Sequence, residues 1–356
     1  MKRLFISLLT LCVALLPFLP SEVRREAEPV FYYQSKEGYM SYNVNDQNYV
    51  YNWSGVTNSH LYEHNGQFVR VEYCNGEILV EYYSSDFQLI STRTIERQLS
   101  LYGGFFHGEK YNFLVFGQEN PNDSADVEVI RVVKYSQDWE ELGHYSSIGA
   151  NTHNPFEAGN CSLFEKDGLL YIRTCHTMFM STDGSNHQAN LRYLINEEDM
   201  SCISALYDVS NPSTGYVSHS FNQMQCFDEN YYYGMDHGDA YPRGIMLSRM
   251  NYGRLPLSSG GNVYTIKGDT GANYTGVEIG GFRKAGNNLL TAIKSVDMSN
   301  YENSKQKNII LLVTPSDKIT ESYTSKISFT SYSEDAAVEV GNPQLVKINE
   351  NRLLLM

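Results

Sequence analysis

Residues 217–244 read VSHSFNQMQCFDENYYYGMDHGDAYPRG. A short alternating run, the polar turn Asp228-Glu229-Asn230 and a second run rich in tyrosine form the pattern of two antiparallel strands joined tightly. Turn residues of this kind let the chain reverse, and aromatic side chains suit a pleated surface. A hairpin is therefore expected over residues 221–233. At its far ends lie Ser218, His219, Ser220, Phe221 and Asn222 on one strand and Asp236, His237, Gly238, Asp239 and Arg243 beyond the other. Antiparallel partners bring their far ends side by side, so both polar runs are expected at one face.

The same unit recurs along the chain: SHLYEHNGQFVRVEY about Gly66, GGFFHGEKYNFLVF about Gly108, GNCSLFEKDGLLYIRT about Gly168, VEIGGFRKAGNNLLTAIK about Asn287 and NPQLVKINENRLLLM about Asn351. With Asn230 included, the anchors are spaced by 42, 60, 62, 57 and 64 residues, enough for four antiparallel strands and one longer loop per unit. A second strand pair follows several hairpins, such as residues 127–135 with 142–147 and 190–195 with 200–207. Repeats of this length and content imply an all-β fold, a β-propeller of about six four-stranded blades. The last unit has only one hairpin. Either residues 30–53 supply strands that complete it and close the ring, or the final blade is cut short.

Lys2 and Arg3 precede an apolar run over residues 4–16 and then Pro17 and Pro20, which reads as an export signal too short to span a membrane. Residues 1–27 are taken as that signal and 28–356 as a single propeller domain, placed outside the cell or on its surface. No small-x-small cleavage triplet fixes the cut, so an uncleaved anchor stays open, but no later apolar run reaches membrane-spanning length. Loss of the leader moves the formal charge from −14 to −16, and no Lys/Arg-rich run follows, which argues against nucleic acid as a partner. Of the six cysteines, Cys74, Cys161, Cys175, Cys202 and Cys226 remain, an odd number without a C-x-x-C pair. Neither a disulfide framework nor a zinc site is indicated, although a turn at Gly168 could bring Cys161 and Cys175 together as one bridge. No cofactor or metal is expected.

In a four-stranded blade the first and third turns lie on one face of the disc, and the middle loops and blade-to-blade connections on the other. His64 and His107 then fall at first turns, exposed to solvent. His153, His176, His187, His219 and His237 fall on the opposite face, with Asp183, Asn222, Asp236, Asp239 and Arg243. A catalytic reading uses His219 or His237 as acid, base or nucleophile, Asp236 or Asp239 to orient the imidazole, and Arg243 to hold an anion. A binding reading uses His153, His176, His187, His219, Asn222 and Arg243 for a polar ligand. Taken singly, each residue also fits a structural role, with carboxylates capping backbone N–H groups or pairing with Arg243. The convergence of five histidines argues for a site. Ser181-Thr182-Asp183-Gly184 lacks the spaced glycine and closing aromatic of a sialidase Asp-box and reads as a plain hairpin turn. Asn120 to Asp126 lacks the spacing of a calcium loop.

Through SHSFNQ (218–223), DHGDAYPRG (236–244) and DGSNHQAN (183–190), the middle third of the chain resembles uncharacterised secreted bacterial proteins with propeller-like repeats. That resemblance implies an exported protein and brings no catalytic residue. Bacterial arylsulfotransferases resemble the chain only in architecture, since their own histidine motifs are missing. The leading expectation is a secreted propeller binding a glycan or surface partner on the middle-loop face, where tyrosine can stack on sugar rings. The alternatives are a transferase, hydrolase or lyase working through His219, His237 and Arg243, and an adhesion or spacer module without a small-molecule site.

Overall fold

The computed structural model describes residues 56–157, 159–209, 222–240, 242–336, 338–349 and 352–356. Five antiparallel sheets follow one another along the chain, each with its strands in sequence order. Blade I holds β1 (Ser59–His64), β2 (Gln67–Cys74), β3 (Glu77–Tyr83) and β4 (Leu89–Ile95). Blade II holds β5 (Leu101–His107), β6 (Asn112–Gly117), β7 (Glu128–Tyr135) and β8 (Glu141–Ile148). Blade III adds a short piece, β9 (Thr152–Pro155), which pairs with the far end of the second main strand, to β10 (Ser162–Lys166), β11 (Leu169–Met178), β12 (Gln188–Asn196) and β13 (Cys202–Leu206). Blade IV holds β14 (Gln223–Phe227), β15 (Tyr231–Gly238), β16 (Gly244–Asn251) and β17 (Leu257–Thr265). Blade V holds β18 (Val277–Ala285), β19 (Asn288–Ser295), β20 (Asn308–Pro315) and β21 (Ser325–Ser328), and β22 (Leu345–Asn349) pairs with β23 (Arg352–Leu355) as a sixth hairpin.

First strands of successive sheets lie against one another, β5 on β10, β10 on β14, β14 on β18 and β18 on β22, so the sheets radiate from a common axis. This is a β-propeller, built as the repeats predict. The anchors Gly66, Gly108, Gly168, Asn230 and Asn287 all fall between paired strands, and Asn351 lies outside the described residues although the strands flanking it pair. Asn65 and Gly66 both have positive φ, 51° and 75°, the backbone of a two-residue hairpin turn whose twist matches its strands. Among the described residues the only helical pieces are three-residue 3-10 turns, and no helix is long and apolar enough to cross a membrane.

Side chains alternate across each strand, so each blade has two faces and each seam between blades has its own core. Val71, Val80, Phe105 and Leu114 join blades I and II; Phe113, Val115, Leu170 and Ile172 join II and III. Met235, Ile245, Val277 and Ile279 join IV and V, and Leu290, Leu345 and Leu353 seat the last hairpin on V. The III–IV seam has only Tyr171, Leu194, Tyr232, Met250 and Leu255 as its buried apolar cluster. Polar side chains fill the rest of it. Whether residues 30–53 complete the sixth blade concerns residues outside those described.

The one bridge that the sequence allowed, Cys161–Cys175, is not formed, and both cysteines are free. Register places Ser162 opposite Arg173, so one step on Cys161 meets Thr174 and not Cys175. Cys161 packs with the II–III core, whereas Cys175 shares a face with Tyr171, which belongs to the III–IV cluster.

Candidate functional site

The strand that carries the expected site runs further than the sequence suggests. β15 continues to Gly238, so Asp236 and His237 sit inside a strand and not in the loop after it, and their neighbours are set by the pleat. Tyr232, Gly234 and Asp236 face blade III; Tyr233, Met235 and His237 face blade V. Adjacent residues on one strand point to opposite faces, and so Asp236 cannot orient the His237 ring.

On the blade III side, Asp236 Oδ2 pairs with the Arg173 guanidinium, and Asn190 Nδ2 donates to Oδ1 at 3.0 Å. Arg173 and Asp236 are 1% and 2% exposed, which makes this an ion pair sealed from water. Burial alone would lower the Arg173 pKa, and the Asp236 carboxylate together with Tyr232 more than reverses that. Arg192, the cross-strand partner of Arg173, lies beside it, and burial together with the Arg173 charge pushes its pKa down to about 10. Gly234 makes the pair possible: a Cβ there would lie 2.5 Å from Arg173 Nη1 and 2.6 Å from Cζ. Arg173 and Arg192 did not stand out among the sequence candidates. A charge in the middle of the runs LLYIRTC and ANLRYLI was the available signal.

On the blade V side, His237 Nε2 lies 2.9 Å from Thr275 Oγ1, and desolvation lowers the ring pKa to about 4. Its backbone N–H donates to the Asn222 carbonyl at 3.0 Å. Asp239 is fully buried, and its carbonyl accepts from Gly271 N at 2.8 Å and Arg243 Nη1 at 3.2 Å.

Arg243, expected to hold an anion, binds the protein's own backbone. Nε donates to Lys267 O at 2.9 Å, Nη1 to Ala272 O at 2.6 Å, and Nη2 to Tyr274 O at 2.6 Å and Tyr301 Oη at 3.4 Å. One guanidinium thus ties up residues 267–274, the connection between β17 and β18. Nor does Arg243 pair with the Asp236 carboxylate, which faces the other seam. Arg243→Ala is expected to destabilise the protein by about 2–4 kcal/mol, since several carbonyls lose a charged donor at once. Urea unfolding monitored by tyrosine fluorescence measures it, and a loss within about 0.5 kcal/mol would contradict this role.

The remaining histidines are held one by one. His176 lies on β11 and not in the loop after it. It is buried, with Nδ1 2.7 Å from Thr152 Oγ1 and Nε2 2.9 Å from Tyr207 O, and desolvation lowers its pKa to about 4. His153 Nδ1 lies 2.7 Å from Asp123 Oδ1, while Met180 N donates to Asp123 Oδ2 at 2.8 Å. Asp123 therefore ties the middle loop of blade II to blade III, an inter-blade contact. Exposed His187 meets Asp183 at 2.7 Å within the turn closed by Ser181 and Gly184, where hydrogen bonds from Ser181, Ser185 and His187 hold the Asp183 pKa down to about 2. His219 lies outside the described residues. At the other end of the disc His107 is half-buried and stacked on Tyr62 at 3.9 Å, and His64, also half-buried, meets the His107 ring edge-on at 5.8 Å, so neither is the solvated turn residue expected. The structure thus distributes the candidate histidines over separate contacts. Among the described residues no three His, Cys, Asp or Glu side chains gather as a metal site would require.

What the middle-loop face presents instead is the connection that Arg243 grips. Residues 267–274 are all exposed, and Tyr274, 54% exposed, shares this connection with Asp269, Thr270 and Asn273 while its carbonyl is fixed by Arg243 and by Tyr301 Oη at 3.0 Å.

No family model matches the chain, and no curated protein matches it significantly. Two solved structures are similar in course: an ACO/RPE65 chimera, 11% identical with a TM-score of 0.41 over 71% of this chain and 56% of that one, and the Dos1 propeller, 9% identical with a TM-score of 0.40 over 72% and 65%. The chain spans less than two thirds of the length of either. Assignment of the fold rests on the sheet order and seams described above.

Proposed function

We propose that this chain is an exported binding propeller that takes a polar ligand, a glycan or a glycan-bearing surface partner, on the face of its middle loops. The observation that carries this reading is Tyr274, exposed as a flat aromatic surface on a connection whose backbone is clamped by Arg243. A fixed tyrosine gives apolar area against a sugar ring and a hydroxyl for its rim at little cost in side-chain entropy. Asp269, Thr270 and Asn273 add hydrogen-bonding groups on the same connection. Export rests on the leader-like residues 1–27.

An enzyme working through His219, His237 and Arg243 has less support. His237 and Arg243 are engaged in blade contacts, and Asp236 points away from the imidazole it was to orient.

Glycan-array binding followed by titration of the best hit tests the reading. Tyr274→Ala is expected to weaken binding at least about tenfold, the scale of losing one aromatic anchor, with the melting temperature unchanged. An array with no hit, or equal binding by the variant, removes the glycan reading.

A further inference from the structure

At the opposite end of the disc, the first turns of blades III, IV and V and the last hairpin surround a basin of about 470 Å³. Lys166 from the end of β10, Lys284 from β18 and Lys347 from β22 line it, with Asp228, Glu229 and Asn230 from the β14–β15 turn. These strands are the innermost of their blades, so the basin lies toward the propeller axis. We propose that it binds the phosphate group of a small ligand.

Three ammonium groups against two carboxylates leave a local excess of positive charge in a chain whose formal net charge is −14. Asp228 is turned to its own hairpin: its carboxylate accepts from Asn230 N at 2.9 Å, Tyr231 N at 2.8 Å and Tyr233 Oη at 2.7 Å. The lysine stems are braced. Lys166 Nζ donates to Asp228 O at 2.6 Å and lies 5.1 Å from the centre of the Tyr252 ring; Lys284 Nζ donates to Gly286 O and lies 3.8 Å from Asp228 Oδ2. An ammonium has three N–H donors, so Lys166 and Lys284 keep donors for a ligand after these contacts.

Ligand class follows from the kind and placement of the charges. Lysine acts as a compact point charge, and planar carboxylates are better met by the arginine fork, which the basin lacks. Three ammonium groups reaching in from three blades suit a tetrahedral group that presents three oxygens in different directions. The volume falls within the range of about 300–1,000 Å³ usual for small-ligand clefts, which leaves space for a sugar-sized body beyond the phosphate. This site is at the far end from Tyr274 and stands or falls independently of the glycan reading.

Isothermal titration at low salt with inorganic phosphate, glucose 6-phosphate and glucose decides it. Both phosphates are expected to bind, with Kd on the order of 1 mM, and glucose is expected not to. A tighter Kd for glucose 6-phosphate would identify an esterified ligand; equal values would identify the free ion, and both agree with a phosphate site. Lys347→Gln is expected to weaken binding at least about fivefold and Glu229→Gln to tighten it about threefold, the scale of one charge partly screened by solvent. Glu229 is exposed, so that variant keeps the test readable if Lys347→Gln melts early. Absence of saturation by either phosphate up to about 20 mM overturns the proposal, as do equal binding of glucose and an unchanged Kd in both variants.

Discussion

Asp236→Ala should destabilise the propeller by about 3–5 kcal/mol, the usual cost of removing one partner from a buried ion pair. The change leaves Arg173 charged, 1% exposed and next to a second buried guanidinium on Arg192, with no water to solvate it. It also removes the acceptor for Asn190. Replacing both partners, as in Arg173→Met with Asp236→Leu, should recover most of the loss, because the III–IV seam then gains the apolar contacts it lacks. Urea unfolding of the two single variants and the pair, read as a double-mutant cycle, separates this account from a general intolerance of substitution. A single-variant loss below about 1 kcal/mol would mean that Asp236 does not hold this seam.

Mild acid should weaken the fold before carboxylate protonation does. His60, His176 and His237 are each held down to a pKa of about 4 by burial, against an unfolded value near 6.5. Between about pH 6.5 and 4 the unfolded chain therefore takes up protons that the folded chain refuses, and stability falls as pH falls. Burial raises Glu197 to about 7, and raises Glu157 and Glu165 as well; these groups bind protons more readily when folded and act in the opposite sense. With three histidines set partly against these carboxylates, the net loss is about 1–3 kcal/mol per pH unit near pH 5.5. Chemical denaturation at pH 7, 6 and 5 measures the slope, and His237→Gln should flatten it by about one proton's share. Stability that stays level or rises from pH 7 to pH 5 would exclude the effect.

Much of the architecture was legible because it is local. A turn such as Asn65-Gly66 must adopt positive φ, and the alternating runs flanking it must pair, so each hairpin declared itself and the spacing of hairpins gave the blades. The candidate site was less legible because it depends on contacts between blades. Period 2 predicts that Asp236 and His237 part company only once β15 is known to extend to Gly238, and the tripeptide Asp-His-Gly reads more like a loop. Buried charges were hidden for a similar reason. Arg70, Glu72 and Glu81 in blade I, like Arg173 and Arg192 in blade III, alternate with apolar residues just as solvent-facing side chains would, yet all are buried. Nothing in a single strand says whether its polar face meets water or another blade. The cysteines failed on register: Cys161 and Cys175 are near in the hairpin but fall on opposite faces.

Asp236, His237 and Arg243 hold blade seams and the connection between blades IV and V together from inside the fold. Deuterium exchange at the C2 carbon of the His237 ring, followed by mass spectrometry across pH, tests it directly, since that exchange reports both the access of water and the ionisation of the ring. Slow exchange with a midpoint at about 4 is predicted from the sealed position against Thr275. Fast exchange with a midpoint near the free value of about 6.5 would place His237 in open solvent and contradict the account.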